Sequence, residues 1–485
     1  MGIVVNQSIK NVIITFLGFG IGAINTLFLF TNFMEEQYYG LVSYLFSTSN
    51  IIWPLIAFGA QNTMIKFYSS YVNKDQQNKF LSLMLFMPLC IALLIGAIGT
   101  VFYGYILDLF SEKNTIVQPF VWTIFILAIA LSYFEIFFAW AKVKLKSVFG
   151  NVMRELFLRV CIMALLFMVY FEVLSIEQFI YGIVAVYVIR LIVMMVYAFR
   201  LHDFTYKFSV PDNFVSVFKY SVLILIAGSV ATLLIDLDKT MIERYLPIEN
   251  VAKYQISAYI ASVIIIPSRA MHQITYPLTA KLLNEKGFDQ LHALYKKSSL
   301  NLFVISGLLF VLIICNVHQL FEFIPNDYEL FIWVILLIGI SKLVDNLLGN
   351  NNSILYNSDY YRIVLFIGVA MAVLSFVLNI ICIPMYGVTG AAIATFGAVF
   401  CYNLSKVWIV KIKFKMHPFS KETFMTLGLI TACAFGFYFW DFQFHPIVNI
   451  GLKSILIGAC YMVFIYVFKI SPDITNILKK IPRGA

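Results

Sequence analysis

Apolar runs of about twenty residues, each long enough to cross a bilayer, succeed one another along this chain with short polar breaks between them. Fourteen such segments can be placed, at about 10–31, 39–61, 81–104, 118–140, 151–171, 178–199, 217–235, 254–277, 299–317, 329–348, 361–383, 388–410, 422–440 and 449–469. No intervening loop is long enough to hold a soluble domain. The longest, Leu278 to Ser298, carries Lys281, Lys286, Lys296 and Lys297 and is expected to form a surface helix. The first run, Val12 to Phe30, is too long for the apolar core of a cleavable leader and is expected to stay as the first helix. The pattern predicts an all-α polytopic membrane protein of about 14 helices.

The stretch from Phe218 to Lys281 departs most from a plain apolar pattern. An apolar helix from Tyr220 to Ile235 is followed by a charged connector, Asp236 to Lys253. A second helix, Tyr254 to about Pro277, carries Arg269, His272, Gln273 and Tyr276 at i, i+3, i+4 and i+7, so they form one polar stripe. A charged stripe on a membrane helix needs a wet or protein-lined cavity to face. The stretch also echoes an earlier one. Phe33 to Ser47 resembles Tyr245 to Ser262, each followed by a helical proline (Pro54, Pro267) and a basic loop (Lys74, Lys286), at an offset of roughly 212 residues. The expected plan is therefore two six-helix lobes, 1–210 and 211–415, with two C-terminal helices appended in 416–485. Six is even, so both lobes share one orientation, related by a pseudo-twofold axis along the membrane normal.

Composition agrees: the chain is 61% hydrophobic and 12% charged, against about a quarter charged in soluble proteins. The net charge of +9 raises the question of a nucleic-acid partner, but the bases form no basic domain. They alternate with the apolar segments as topology signals do. With the N-terminus inside, 25 of the 34 Lys and Arg residues fall on inner loops and flanks, Arg154 and Lys406 among them. Five fall outside, Lys453 among them, and both termini are expected to be cytoplasmic. The seven cysteines lie in apolar runs without a CxxC and read as small core residues. The six histidines are scattered, so no metal site and no cofactor is expected.

Three motifs then carry a resemblance. PMYGVTGAAIAT (Pro384 to Thr395) uses Pro384 and Gly387 to turn the chain, with Gly390, Ala391, Ala392 and Ala394 allowing close helix packing. IKFYSSY (Ile65 to Tyr71) and DLDKTMIERYL (Asp236 to Leu246) follow the second and seventh segments. In this order the set resembles the Wzx-type polysaccharide flippases of the multidrug/oligosaccharidyl-lipid/polysaccharide (MOP) superfamily. The resemblance implies a non-enzymatic carrier in the bacterial inner membrane. It would move a polyprenyl-pyrophosphate-linked oligosaccharide, such as an O-antigen repeat unit of lipopolysaccharide, across the bilayer by alternating access. Its partners would be this lipid-linked oligosaccharide, membrane lipids and a polysaccharide polymerase or assembly protein.

A pyrophosphate headgroup needs a hydrated, cationic lumen. Candidates to line it are Arg159, Arg190, Arg269 and Lys342, with His272 and Gln273 beside Arg269. Arg159 has Glu155 one turn earlier and Lys342 has Asp345 one turn later, so internal pairing is the competing reading for both. Arg190 and Arg269 have no acid within a turn and are the favoured pair. Glu135 and Asp236 are candidates for coupling transport to H+ or Na+, with pairing of Asp236 to Lys239 as the alternative. Two other functions compete. A cation-coupled exporter of drugs or small molecules would favour acids in its lumen. A membrane glycosyltransferase or polymerase would need acids or histidines on a sizeable loop.

Overall fold

The computed structural model describes residues 2–111, 114–202 and 204–475, and within them the chain is helical, without a strand. The long helices are α1 (Lys10–Phe33), α2 (Glu36–Ala57), α3 (Lys74–Val101), α4 (Thr115–Val143), α5 (147–170), α6 (Ile176–Arg200) and α7 (Phe214–Tyr245). They continue as α8 (249–284), α9 (Phe288–Phe321), α10 (Ile332–Leu347), α11 (Tyr361–Phe414), α12 (Lys421–Tyr438) and α13 (Pro446–Val467). Among the described residues nine helices are long and apolar enough to cross a bilayer, or ten with α7, which bends by 47° near Val230, counted as one span. The protein is an all-α, multi-pass membrane protein.

Two elements show how local sequence sets this architecture. α11 has 54 residues, about 80 Å if straight, far more than the ~30 Å of a hydrocarbon core. It folds at Gly387, where φ is 59° and ψ is −138°, a backbone state that a side chain would strain. Past the turn, Ala391, Ala392 and Ala394 are fully buried, as the close-packing motif requires. The expected surface helix at Leu278 to Ser298 does not form as a separate element. α8 runs on to Asn284 and α9 starts at Phe288, joined by a tight turn in which Lys286 adopts φ 55°. Continuing the two helices satisfies their backbone groups better than a third short one would.

The chain divides into two compact units, Met1–Gln255 and Ile256–Ala485. In the first, α2 packs on both α4 and α7, and α4 packs on α6. One core gathers Met64, Phe80, Phe134, Trp140 and Met194, every one fully buried. α2 reaches its neighbours because residue 40 is glycine: any side chain there would collide with the Ile248 carbonyl. In the second unit α9 is the central helix, packed on α10, α12 and α13, while α10 packs on α11. The C-terminal tail docks on α9, where Lys297 Nζ lies 2.9 Å from Asp473 and Asn301 Nδ2 donates to Asp473 at 2.8 Å.

Candidate functional site

The richest cluster of charge in the first unit lies where α4, α5 and α6 meet. α5 is not a regular α-helix throughout. Met153–Phe157 winds as a π-helix, a form concentrated at functional sites, and it carries Arg154 and Glu155. The wider turn leaves the Glu155 carbonyl free, and Arg159 Nη1 donates to it. The same Nη1 donates to Glu155 Oε2 at 2.7 Å, while Arg154 Nε lies 3.6 Å from Glu135 and 3.8 Å from Glu155. α1 has a π-turn of its own at Asn25–Leu29, and Asn25 Nδ2 donates to the Arg159 carbonyl at 2.8 Å.

Arg190 completes the cluster from α6 and differs from the other two arginines. It is 2% exposed, with its guanidinium carbon 3.9 Å above the Phe134 ring and 4.8 Å from that of Tyr187. Its Nε and Nη2 have no hydrogen-bond partner among the described residues. Glu135, Arg154 and Glu155 all lie within its electrostatic reach, yet no carboxylate among the described residues bonds to it. Burying a guanidinium with donors unused costs several kcal/mol, of which cation–π stacking returns about 2 kcal/mol. Three arginines against two glutamates leave the cluster net positive. Its free donors are those of Arg190, and their fork geometry matches a phosphate or carboxylate.

The remaining expected residues are dispersed. In the first unit Asp236 is buried and ion-paired with Lys239 at 2.7 Å. Glu135 is the partner of Arg154 just described. In the second unit Arg269 is exposed and His272 half-buried on α8; the side chain of Gln273 lies outside the described residues. Lys342 is half-buried on α10, and Asp345, one turn on, lies 3.8 Å from Lys406 instead. No group of three or more His, Cys, Asp or Glu that could hold a metal occurs among the described residues.

Three residues here escaped the sequence reading. Arg154 and Lys406 counted only as topology signals, and Tyr187 among the many aromatics. Lys406 is 1% exposed on α11, its Nζ 3.0 Å from Asn352 Oδ1 and 4.3 Å from the Tyr402 ring. A signal existed: Tyr402 and Asn403 both stand one helical turn before Lys406, the same kind of stripe that singled out Arg269.

Comparison with known proteins adds to this geometry. A family model described as "Polysaccharide biosynthesis protein" matches residues 8–283, more than half of the chain. No curated protein matches it in sequence. Among solved structures, the lipid II flippase MurJ in an inward closed conformation is similar at a TM-score of 0.72 and 15% identity, over 95% of this chain and 98% of that one. An inward-facing multidrug resistance MATE family transporter of the MOP superfamily gives 0.63 at 11% identity, over 84% and 94%. A mutant form of the Vibrio cholerae MATE transporter VcmN gives 0.57 at 12%, over 85% and 98%. At these identities the likeness establishes the fold.

Proposed function

The chain belongs to the polysaccharide biosynthesis protein family, and from that premise we propose that it is a flippase for a polyprenyl-pyrophosphate-linked oligosaccharide. It carries this lipid from the cytoplasmic to the outer leaflet of the bacterial inner membrane by alternating access, without catalysis. The observation that carries the reading is Arg190: a buried guanidinium, stacked on two rings, with hydrogen-bond donors free. A pyrophosphate would complete its coordination, and Arg154 and Arg159 supply further positive charge nearby. In the second unit Arg269, exposed on α8 with His272 half-buried beside it, is a separate candidate for the headgroup path. Lipid-facing apolar helices leave the polyprenyl tail in the bilayer, so only the headgroup needs a polar path.

Complementation of a strain lacking its own flippase tests this, with membrane-inserted protein quantified beside surface glycan. Arg190→Ala and Arg269→Ala abolish glycan display at normal protein level. Arg→Lys retains part, because a point charge survives the loss of the fork. Full glycan from a normally inserted Arg190→Glu protein would sink the cationic-lumen mechanism. It would favour the exporter reading that the likeness to MATE transporters keeps in view.

A further inference from the structure

Three acidic side chains of the first unit are buried on α7, and they are held differently. Asp236 is paired with Lys239 at 2.7 Å, and Asp238 accepts from the Tyr254 hydroxyl. Glu243, 2% exposed, has no cation bonded to it among the described residues; its carboxylate contact is Asn114 Nδ2, at 3.4 Å. Asn114 itself is 6% exposed and does more than touch Glu243. Its Nδ2 also donates to the Glu243 carbonyl at 2.8 Å and the Leu246 carbonyl at 3.2 Å, and its Oδ1 accepts from Ile248 N–H at 3.0 Å. One amide therefore clamps the whole turn that ends α7. The turn in turn backs onto α2, where Gly40 lies against the Ile248 carbonyl. This is a latch joining α2, α7 and the segment before α4.

We propose that Glu243 is a proton-binding site that controls this latch. An ionised carboxylate buried without a cation costs several kcal/mol, so the closed latch suits the neutral acid. When the proton leaves, exposing the carboxylate to water relieves that cost, and exposure requires Asn114 to release the turn. Rising pH therefore opens the latch and falling pH closes it. Among the described residues, no other group that faces this place forms an ion pair with Glu243. From α2, the buried Tyr44 hydroxyl lies within electrostatic reach of Glu243. From α7, Arg244 is within electrostatic reach of Glu243 but exposed to water and not bonded to it, Lys239 is engaged by Asp236, and Asp238 by Tyr254. At the same end Glu36 of α2 is paired with Lys253 at 3.1 Å. The charge bias of the loops assigns this end to the outside, so the proton would enter and leave there.

The test places a cysteine at Ile248, which is 2% exposed in the closed latch, in an otherwise cysteine-free chain, and follows maleimide labelling of the purified protein. Labelling is expected to rise at least tenfold from about pH 5 to about pH 9, after correction for the pH dependence of thiol reactivity at an exposed control cysteine. Glu243→Gln, which mimics the neutral acid, keeps labelling low at every pH. Asn114→Ala keeps it high at every pH. A wild-type profile without pH dependence, or a Glu243→Gln protein that follows the wild-type profile, overturns the proposal. Should Glu243→Gln not insert, the wild-type profile and Asn114→Ala still decide it. That the latch opens and closes within a transport cycle rests on the flippase reading, whereas the labelling needs no substrate. A pH-gated latch in a protein that displays no glycan would sink the flippase reading alone.

Discussion

Arg190 of the first unit and Lys406 of the second are both cations buried to within 2% of full exclusion from water. What surrounds them differs. Lys406 has an amide oxygen at 3.0 Å, a carboxylate at 3.8 Å and an aromatic face, so each direction of its ammonium meets a complementary group. Arg190 has two aromatic faces and no acceptor for its Nε or Nη2 among the described residues. Lys406 resembles a completed structural site, and Arg190 one that a ligand completes. Burial of a charge is thus a poor guide to function by itself; the count of unmet hydrogen bonds separates the two.

The contrast predicts opposite phenotypes, and the largest effect is on transport. Arg190→Ala lowers glycan display by about a hundredfold or more, the scale expected when a buried charge contact to a ligand is lost. Its stability in detergent changes by no more than about 1–2 kcal/mol, because the lost ring stacking is offset by relief of the buried, unmet donors. Lys406→Ala reverses the pattern. It destabilises by about 2–3 kcal/mol through a buried cavity and unpaired polar neighbours, while the properly inserted fraction still transports. Equal unfolding and equal transport loss in the two variants would erase the distinction drawn between them.

A smaller effect sharpens the first site from within. Glu135 and Glu155 both lie by Arg154, at 3.6 and 3.8 Å, a looser hold than the 2.7 Å bond of Arg159 to Glu155. Glu135→Gln leaves Arg154 with its Glu155 contact alone. If Glu135 only positions Arg154, the variant changes glycan display by about threefold or less and leaves its pH profile unaltered, since a modest surface-type pair is worth about 1 kcal/mol or less. A lost pH dependence of transport would instead return Glu135 to the coupling role that the sequence suggested.

Most of the fold was legible because lipid imposes a simple rule: an apolar run of sufficient length becomes a helix. The hairpin at Gly387 was legible too, since only a residue without Cβ takes that backbone state readily. The failures have a common cause. Lys286 ends one helix and starts another within a single turn, and nothing in a run of lysines distinguishes that from a surface helix. Arg154 and Lys406 sit near the ends of apolar runs, where a base signals topology by default, and only the π-turn and carboxylate contacts of the one and the full burial of the other set them apart. Glu243 was invisible because no cation bonds to it among the described residues and its carboxylate contact is distant in the chain. A sequence shows neighbours along the chain, and Asn114, its partner, stands 129 residues away.

The smallest expected effect comes from a third kind of charge, exposed and paired. Asp473 meets Lys297 at 2.9 Å, but the two side chains are 37% and 62% exposed, so water competes for both. The Lys297 ammonium, and after it the Asn301 amide, hold the Asp473 carboxyl below its ordinary range. A depressed carboxylate stabilises the folded state above the unfolded pKa, and that contribution disappears as pH falls through the folded one. Discounted for solvent, the pair is worth about 0.2–1 kcal/mol, and less at high salt. Asp473→Asn should therefore unfold slightly earlier than wild type at neutral pH and low salt, and the two melting curves should merge in acid or in about 1 M salt. A gap that survived both conditions would mean that Asp473 acts through the Asn301 hydrogen bond that anchors the tail on α9. Charge would then have little part in holding that tail, and the contrast between paired and unpaired cations would have to be argued without it.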